Sequence, residues 1–270
     1  RNQAEGMIDE VGRVQNTITP SRSSDEIGDL SRSFSNIVER LTQYTAYLEN
    51  MSSRLSHELR TPVTVVRSSL ENLSLCENTA ESKVYLDRAE EGIGRLNLIL
   101  THMSEATRLE QMLQTSEKEK IELREVVDGS VEGYKLAYPL SNFEADLPKY
   151  PIYITGVPEY IAQLLDKLVA NAVEFSHKDQ PIKVYCRTLR DHAIVKVSNA
   201  GPFLPEEMKE RIFDSMISVR SQERQRQPHL GMGLHIARLI TEFHGGQIRA
   251  ENQKDQEGVT ITVVIPLYYD

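Results

Sequence analysis

Ser56-His57-Glu58-Leu59-Arg60-Thr61-Pro62 is the stretch on which the reading of this chain turns. It lies inside a long amphipathic pattern. At about 100° per residue, His57, Arg60 and Thr61 share one helix face, with Leu48, Leu55, Leu59, Val66 and Leu70 roughly opposite. The apolar seam is expected in a helical bundle and the imidazole in water. Pro62 has no N–H, so the carbonyl of Glu58 loses its helical partner and a bend or weak point is expected there. A solvated imidazole offers one ring nitrogen as a nucleophile when the other keeps its proton. Glu58, the next residue, can accept that proton's hydrogen bond and hold the tautomer. This is chemistry suited to taking a phosphoryl group, but a lone surface histidine is common, so the weight falls on its surroundings.

Upstream, apolar residues run Phe34, Ile37, Leu41, Tyr44, Leu48, Met51, Leu55, Leu59. Steps of three and four alternate as far as Leu55, which is a heptad seam. Met51, Leu55 and Leu59 are then two successive fours, a stutter that locally unwinds a supercoil. After a connector at Leu73–Thr79, a second helix repeats the spacing with Leu86, Ala89, Ile93, Leu96, Leu100 and Met103. Asp87, Arg88, Glu90, Glu91 and Arg95 mark its charged side. One hairpin cannot bury both apolar stripes, so two are expected to pair as a homodimeric four-helix bundle. Further upstream, Ala4, Met7, Ile8, Val11 and Val14 fall at helical spacing, and 17–24 is a connector rich in turn formers. Asp25-Glu26-Ile27-Gly28-Asp29-Leu30 opens a new helix with Ser24 or Asp25 as N-cap.

Composition narrows the class. The 270 residues are 39% hydrophobic and 26% charged, which fits a folded chain rather than a disordered one. A net charge of −9 argues against a nucleic-acid-binding surface. Cys76 and Cys186 stand far apart without metal-ligand spacing, so a reducing compartment is the simple inference. No apolar run approaches the roughly 20 residues of a membrane span. The chain opens on Arg1 rather than Met and reads as a cut fragment.

Beyond a polar linker at 115–120 the pattern changes to mixed strands and helices. Strands are expected near 121–123, 142–147, 152–155, 182–189, 193–199, 247–252 and 259–266. Helices are expected over 126–136, 158–176, 205–213 and 233–244, with a polar loop at 214–227. That is an α+β two-layer sandwich of about 150 residues.

Three motifs in this half carry chemistry. Leu168-Val169-Ala170-Asn171-Ala172-Val173-Glu174-Phe175-Ser176 sets Asn171 in mid-helix, where Asn costs helix propensity and its amide oxygen suits Mg²⁺. Val197-Ser198-Asn199-Ala200-Gly201-Pro202-Phe203 follows a strand. Leu230-Gly231-Met232-Gly233-Leu234-His235-Ile236 opens a helix, where glycines let backbone N–H groups approach an anion. Between them lies Glu210-Arg211-Ile212-Phe213-Asp214.

Taken in order, these stretches resemble the sensor histidine kinases of two-component systems. Ser56–Pro62 is similar to their H-box and the Asn171 helix to their N-box. The Asn199 and Gly231–Gly233 segments are similar to their two glycine boxes, and Phe213 to their F-box. The connector before Asp25 looks like the second half of a HAMP signal-relay module. The resemblance implies a multidomain chain. Residues 1–48 would be the HAMP-like part and signalling helix, and 49–118 the all-α dimerisation and phosphotransfer hairpin. Residues 119–270 would be a Bergerat-fold ATP-binding domain, shared with gyrase and MutL. It implies that ATP and Mg²⁺ bind the C-terminal domain, that His57 is phosphorylated with Glu58 as general base or tautomer holder, and that the phosphoryl group passes to an aspartate of a response regulator. Thr61, one turn on, corresponds to the residue that orients water when such proteins dephosphorylate the regulator. Nucleotide contacts fall to Lys167, Asn171, Asn199, Gly201, Phe213, Gly231, Gly233 and Leu234. Phe213 stands either as the hinge of a loop closing over the nucleotide or as ordinary core. The resemblance further implies the cytoplasmic portion of a bacterial inner-membrane protein, anchored by a segment outside this chain.

The chain departs from the family pattern at five places. Lys167 stands where relatives place Asn or an acid, Glu174 where they place Lys or Arg, Asn199 where they place Asp, Phe203 where they place a second glycine, and His229 where they place a further one. Phosphate charge would then fall to Lys178, Arg220, Arg224, Arg226 and His229. Asn199 can accept from the adenine amine or turn its NH₂ to a guanine carbonyl, so purine choice stays open. The departures leave a second reading, a nucleotide-binding scaffold or a phosphatase-dominant sensor with weak autokinase activity. A third is an ATPase of the MutL kind on the same fold.

Overall fold

A computed structural model describes residues 26–76, 79–177, 179–215, 217 and 231–269. Residues 1–25, the first part of the segment 1–48 expected to be HAMP-like, and the cations Lys178, Arg220, Arg224, Arg226 and His229 lie outside the described residues, as do the side chains of Tyr44 and Leu48. The chain divides into two units, the first ending at Thr61 and the second beginning at Pro62.

Helix α1 (Glu26–Ser74) carries the heptad seam and runs unbroken through Pro62. In the first unit Phe34, Ile37 and Leu41 are exposed, while Met51, Leu55 and Leu59 are half-buried. His57, Arg60 and Thr61 face solvent together, as their spacing predicts.

In the second unit the last turns of α1 pair with α2 (Thr79–Thr115). The close approach is set by small residues. A Cβ on Gly92 would lie 2.7 Å from Val66 Cγ2 and 3.2 Å from the Pro62 carbonyl. Pro62, Ser69, Ala89 and Ile99 are buried along this seam. Leu70, Leu86, Ile93 and Leu100, assigned to the inner stripe by spacing, are instead half or more exposed or close to it. Leu86, Ile93 and Leu100 form a second stripe at seven-residue intervals on α2, which the hairpin itself leaves uncovered.

The rest of the unit is a two-layer α+β sandwich. Its elements are β1 (Glu119–Glu122), α3 (Leu123–Ala137), β2 (Phe143–Asp146), β3 (Tyr153–Gly156), α4 (Pro158–Phe175), β4 (Ile182–Leu189), β5 (His192–Ala200), α5 (Gly233–Phe243), β6 (Gln247–Asn252) and β7 (Gly258–Pro266). Five strands form one sheet in the order β2-β4-β5-β7-β6, parallel only between β2 and β4. β1 and β3 form a separate antiparallel pair. Alternation decides the faces: Ile182, Val184 and Cys186 of β4 and Ala193, Val195 and Val197 of β5 point to the helices and are buried. Lys196 and Arg187, on the other face, stack on the Tyr185 ring. Two departures from the sequence reading are local. The expected helix over 205–213 is two 3₁₀ turns, Glu206–Met208 and Arg211–Phe213, and the linker shrinks to three residues because α2 extends to Thr115 and β1 starts at Glu119.

Candidate functional site

α4 positions the first motif. Pro158 starts the helix without a donor to lose, and Tyr160, Ile161, Leu164, Leu165, Leu168, Val169 and Ala172 bury one face. Leu168 and Val169 are fully buried, each worth about 1.5–3 kcal/mol of transfer free energy. That fixed face leaves Lys167, Asn171 and Glu174, at i, i+4 and i+7, as a half-buried polar stripe. Lys167 lies 3.8 Å from Glu105 of α2, so its charge is met by a carboxylate within the protein. At the other edge of the stripe's helix, Tyr134 of α3 donates to Asp166 at 2.6 Å, and burial together with that carboxylate pushes its phenol up.

The end of α4 is stitched to the end of β5. The N–H of His177 donates to the Ala200 carbonyl at 2.8 Å. Gly201 is packed so closely that a Cβ there would lie 2.2 Å from the Phe175 carbonyl oxygen and 3.1 Å from Nδ2 of Asn199. Asn199 is buried, 6% exposed, and its backbone carbonyl accepts from Gln253 Nε2 at 3.0 Å. A residue the sequence reading missed pins the next turn. Asn252 accepts from the Leu204 N–H and donates to the Leu204 carbonyl, both at 2.8 Å. Phe203 is half-exposed.

The third motif enters α5. Gly231 has φ +67°, and a Cβ there would fall 2.1 Å from the Ile217 carbonyl, so backbone conformation and a close approach both demand glycine. Neither reason applies to Gly233, around which a Cβ would meet nothing within 4 Å among the described residues. Among the described residues no side chain caps α5 there, and the N–H groups of a helix's first turn have no partner within the helix, a chemistry suited to anionic oxygens. Leu234 is half-buried and Phe213 is in the core at 3% exposure. His235, also missed, is buried with Nδ1 3.2 Å from the Phe213 carbonyl, and burial lowers its proton affinity.

The structure therefore brings Asn171, Asn199, Gly201 and the start of α5 to one end of the sandwich. Asn171 lies one turn before Phe175, which touches Gly201, and α5 packs against α4. His57, Glu58 and Thr61 belong to the first unit, where His57 and Thr61 are exposed and Glu58 is half-buried. Cys186 lies in the sheet core, its thiol pushed up to about 12 by burial, which removes it from any chemistry. The described residues hold no cluster of three or more metal-ligating side chains, and no helix among them is long and apolar enough to cross a membrane.

Comparison with known proteins matches both halves of the chain to known domains. Residues 47–112 match the His Kinase A (phospho-acceptor) domain. Residues 156–269 match the histidine kinase-, DNA gyrase B-, and HSP90-like ATPase domain. The chain is 31% identical over 247 residues to the sensor protein ChvG of Rhizobium meliloti, covering 88% of this chain and 43% of that protein. It is 23% identical over 252 residues to the signal transduction histidine-protein kinase ArlS of Staphylococcus aureus, covering 93% and 56%. The chain thus spans about half the length of these relatives. Its fold is similar to that of the histidine kinase ThkA, solved in complex with the response regulator protein TrrA. The TM-score there is 0.61 at 23% identity, covering 93% of this chain and 74% of that one.

Proposed function

The chain belongs to the sensor histidine kinase family, and from that premise we propose that it phosphorylates His57 from ATP and passes the phosphoryl group to an aspartate of a response regulator. The observation that carries this reading is the meeting of Asn171, Asn199 and the N-terminal turn of α5 at one end of the sandwich. Asn199 receives the purine edge, and the N–H groups of Gly233 and Leu234 receive phosphate oxygens. The amide oxygen of Asn171 and the carboxylate of Glu174, one turn apart, are hard donors that fit Mg²⁺, which when bound would neutralise phosphate charge. One ring nitrogen of His57 forms a bond to the γ-phosphorus as the bond to the ADP oxygen breaks, and ADP leaves with that electron pair. Glu58 holds or takes the proton of the other ring nitrogen. The regulator's aspartate then attacks the phosphohistidine and restores the imidazole.

The exposed stripe of Leu86, Ile93 and Leu100 supports a homodimer through paired hairpins. Sedimentation returning the 30.7 kDa monomer at micromolar concentration would exclude it. Anchorage in a bacterial inner membrane, by a segment outside this chain, belongs to the same reading, and recovery of the whole protein without membranes would overturn it.

One observation favours a second reading. Lys167 is engaged by Glu105, which takes one cation of the Asn171 helix away from a polyphosphate. A sensor working mainly as a phosphatase, with Thr61 orienting water, accommodates this. The deciding experiment incubates the chain with labelled ATP and Mg²⁺ beside His57→Gln and Asn171→Ala. Acid-labile label on the wild type alone is expected. Nucleotide binding without label, together with loss of phosphate from a phosphorylated regulator, would transfer the assignment to the phosphatase.

A further inference from the structure

The first two turns of α5 carry two polar side chains that nucleotide contact does not explain. His235 is 5% exposed, flanked by the apolar Leu234 and Ile236 on a helix that otherwise buries Ile236, Ala237 and Ile240. Its Nδ1 lies 3.2 Å from the Phe213 carbonyl oxygen, which requires the proton on Nδ1, since a carbonyl only accepts. One turn on, Arg238 lies 3.4 Å from the Asp214 carboxylate and 2.7 Å from Glu242. Two α5 side chains at i and i+3 therefore hold two consecutive residues, 213 and 214.

Those two residues begin the segment that returns at Gly231. The outgoing and returning ends touch backbone to backbone at Ile217 and Gly231. Phe213 is itself buried as the last residue of a 3₁₀ turn, with Ile212 buried beside it. The outgoing end is thus gripped by the helix that the returning end feeds. The grip is polar where an aliphatic residue would pack at lower desolvation cost. Among the described residues, Glu110 of α2, Arg238 and Glu242 are the charges that act on the ring.

We propose that His235 is a positioning residue for nucleotide binding. Its hydrogen bond to Phe213 registers the outgoing chain against α5, so that the N-terminal turn of α5 and the neck at Ile217–Gly231 are ordered before the ligand arrives. The inference rests on the reading of this end of the sandwich as a nucleotide site. Without the bond, ligand must order both ends itself, and affinity falls.

The test uses the whole chain with His235→Asn and His235→Leu. An Asn amide can place a donor near the position of Nδ1, whereas Leu packs but cannot donate. Two quantities are measured: affinity for ATP with Mg²⁺ by calorimetry, and amide hydrogen exchange over 211–217 and 231–238 without nucleotide. His235→Leu is expected to weaken ATP binding about tenfold and to speed exchange at both ends more than elsewhere in the domain. His235→Asn is expected to stay within about threefold of wild type in both, since one neutral donor replaces another. If the wild type binds ATP and the two variants behave alike, the positioning role is overturned while the nucleotide site stands. If the wild type binds no ATP, the site reading fails and this inference with it.

Discussion

The N–H of His177 donates to the carbonyl oxygen of Ala200 at 2.8 Å, tying the chain just beyond α4 to the last residue of β5. This bond sets Asn171 and Asn199, which belong to separate motifs, on one frame. It works because Gly201 follows. No other residue fits between the Phe175 carbonyl and Asn199.

Gly201→Ala should therefore separate the two motifs. The added methyl would stand 2.2 Å from a backbone oxygen, so the turn or the end of α4 must move. Overpacking of this kind costs about 1–3 kcal/mol. The expected outcome is a folded domain with a lower unfolding midpoint and ATP affinity reduced at least about tenfold, by the conversion of 1.4 kcal/mol per decade. Thermal unfolding followed by calorimetric titration reads both. Unchanged ATP affinity would mean that the Gly201 turn does not frame the nucleotide.

Asn199→Asp addresses the purine. Asn199 is buried and neutral, and by rotating its amide it can meet either adenine or guanine. A carboxylate can only accept, so it pairs with the adenine amine and repels the guanine carbonyl. The wild type should then discriminate ATP from GTP by less than about tenfold and the variant by more, one charge-assisted hydrogen bond being worth about 1.5–3 kcal/mol. The free variant should also be less stable, because ionising a buried side chain carries a desolvation cost. Competition of both nucleotides against a fluorescent ATP analogue gives the ratio. Equal ratios in the two proteins would remove Asn199 from purine recognition.

Much of this was legible in the sequence because the signals are local. Alternation through Ile182, Val184 and Cys186 marks a strand with one buried face, and the glycines at 231 and 233 mark the entry to a helix, although the positive φ at 231 emerges only in the fold. Asn252 and His235 gave no such signal. Their partners lie 48 and 22 residues away, and nothing nearby distinguishes a pinning Asn from a solvated one. On α2 the heptad spacing revealed apolar stripes but not which of them meets α1. Size decides that: Ala89 and Gly92 permit the close approach to Val66, which leaves Leu86, Ile93 and Leu100 outside. Lys167 was legible as a charge on the correct helix face, but its engagement with Glu105 depends on how α2 packs.

His244 should make the second unit sensitive to mild acid. The imidazole is buried, with Nδ1 2.7 Å from the Ile240 carbonyl and Nε2 3.2 Å from the Val157 N–H at the start of α4. The carbonyl needs a proton on Nδ1 and the N–H needs a bare Nε2, so only the neutral ring satisfies both. Gly156 makes the approach possible, since a Cβ there would lie 2.4 Å from the ring. Burial, and then the ammonium of Lys118, lower the pKa of His244 below the ordinary 6.5, and burial lowers that of His235 as well. Between the folded-state value and 6.5 the unfolded chain binds more protons than the folded one, so stability rises with pH there. The contribution is complete above about pH 6.5, is lost as pH falls below it, and stops changing once the folded-state pKa is passed. His244→Gln can still accept from Val157 through its amide oxygen but does not titrate. Unfolding midpoints measured from pH 5 to 7.5 should fall less steeply toward acid in this variant than in wild type, after the common carboxylate contribution cancels in the difference. Parallel curves would show that His244 does not carry the proton that destabilises the domain.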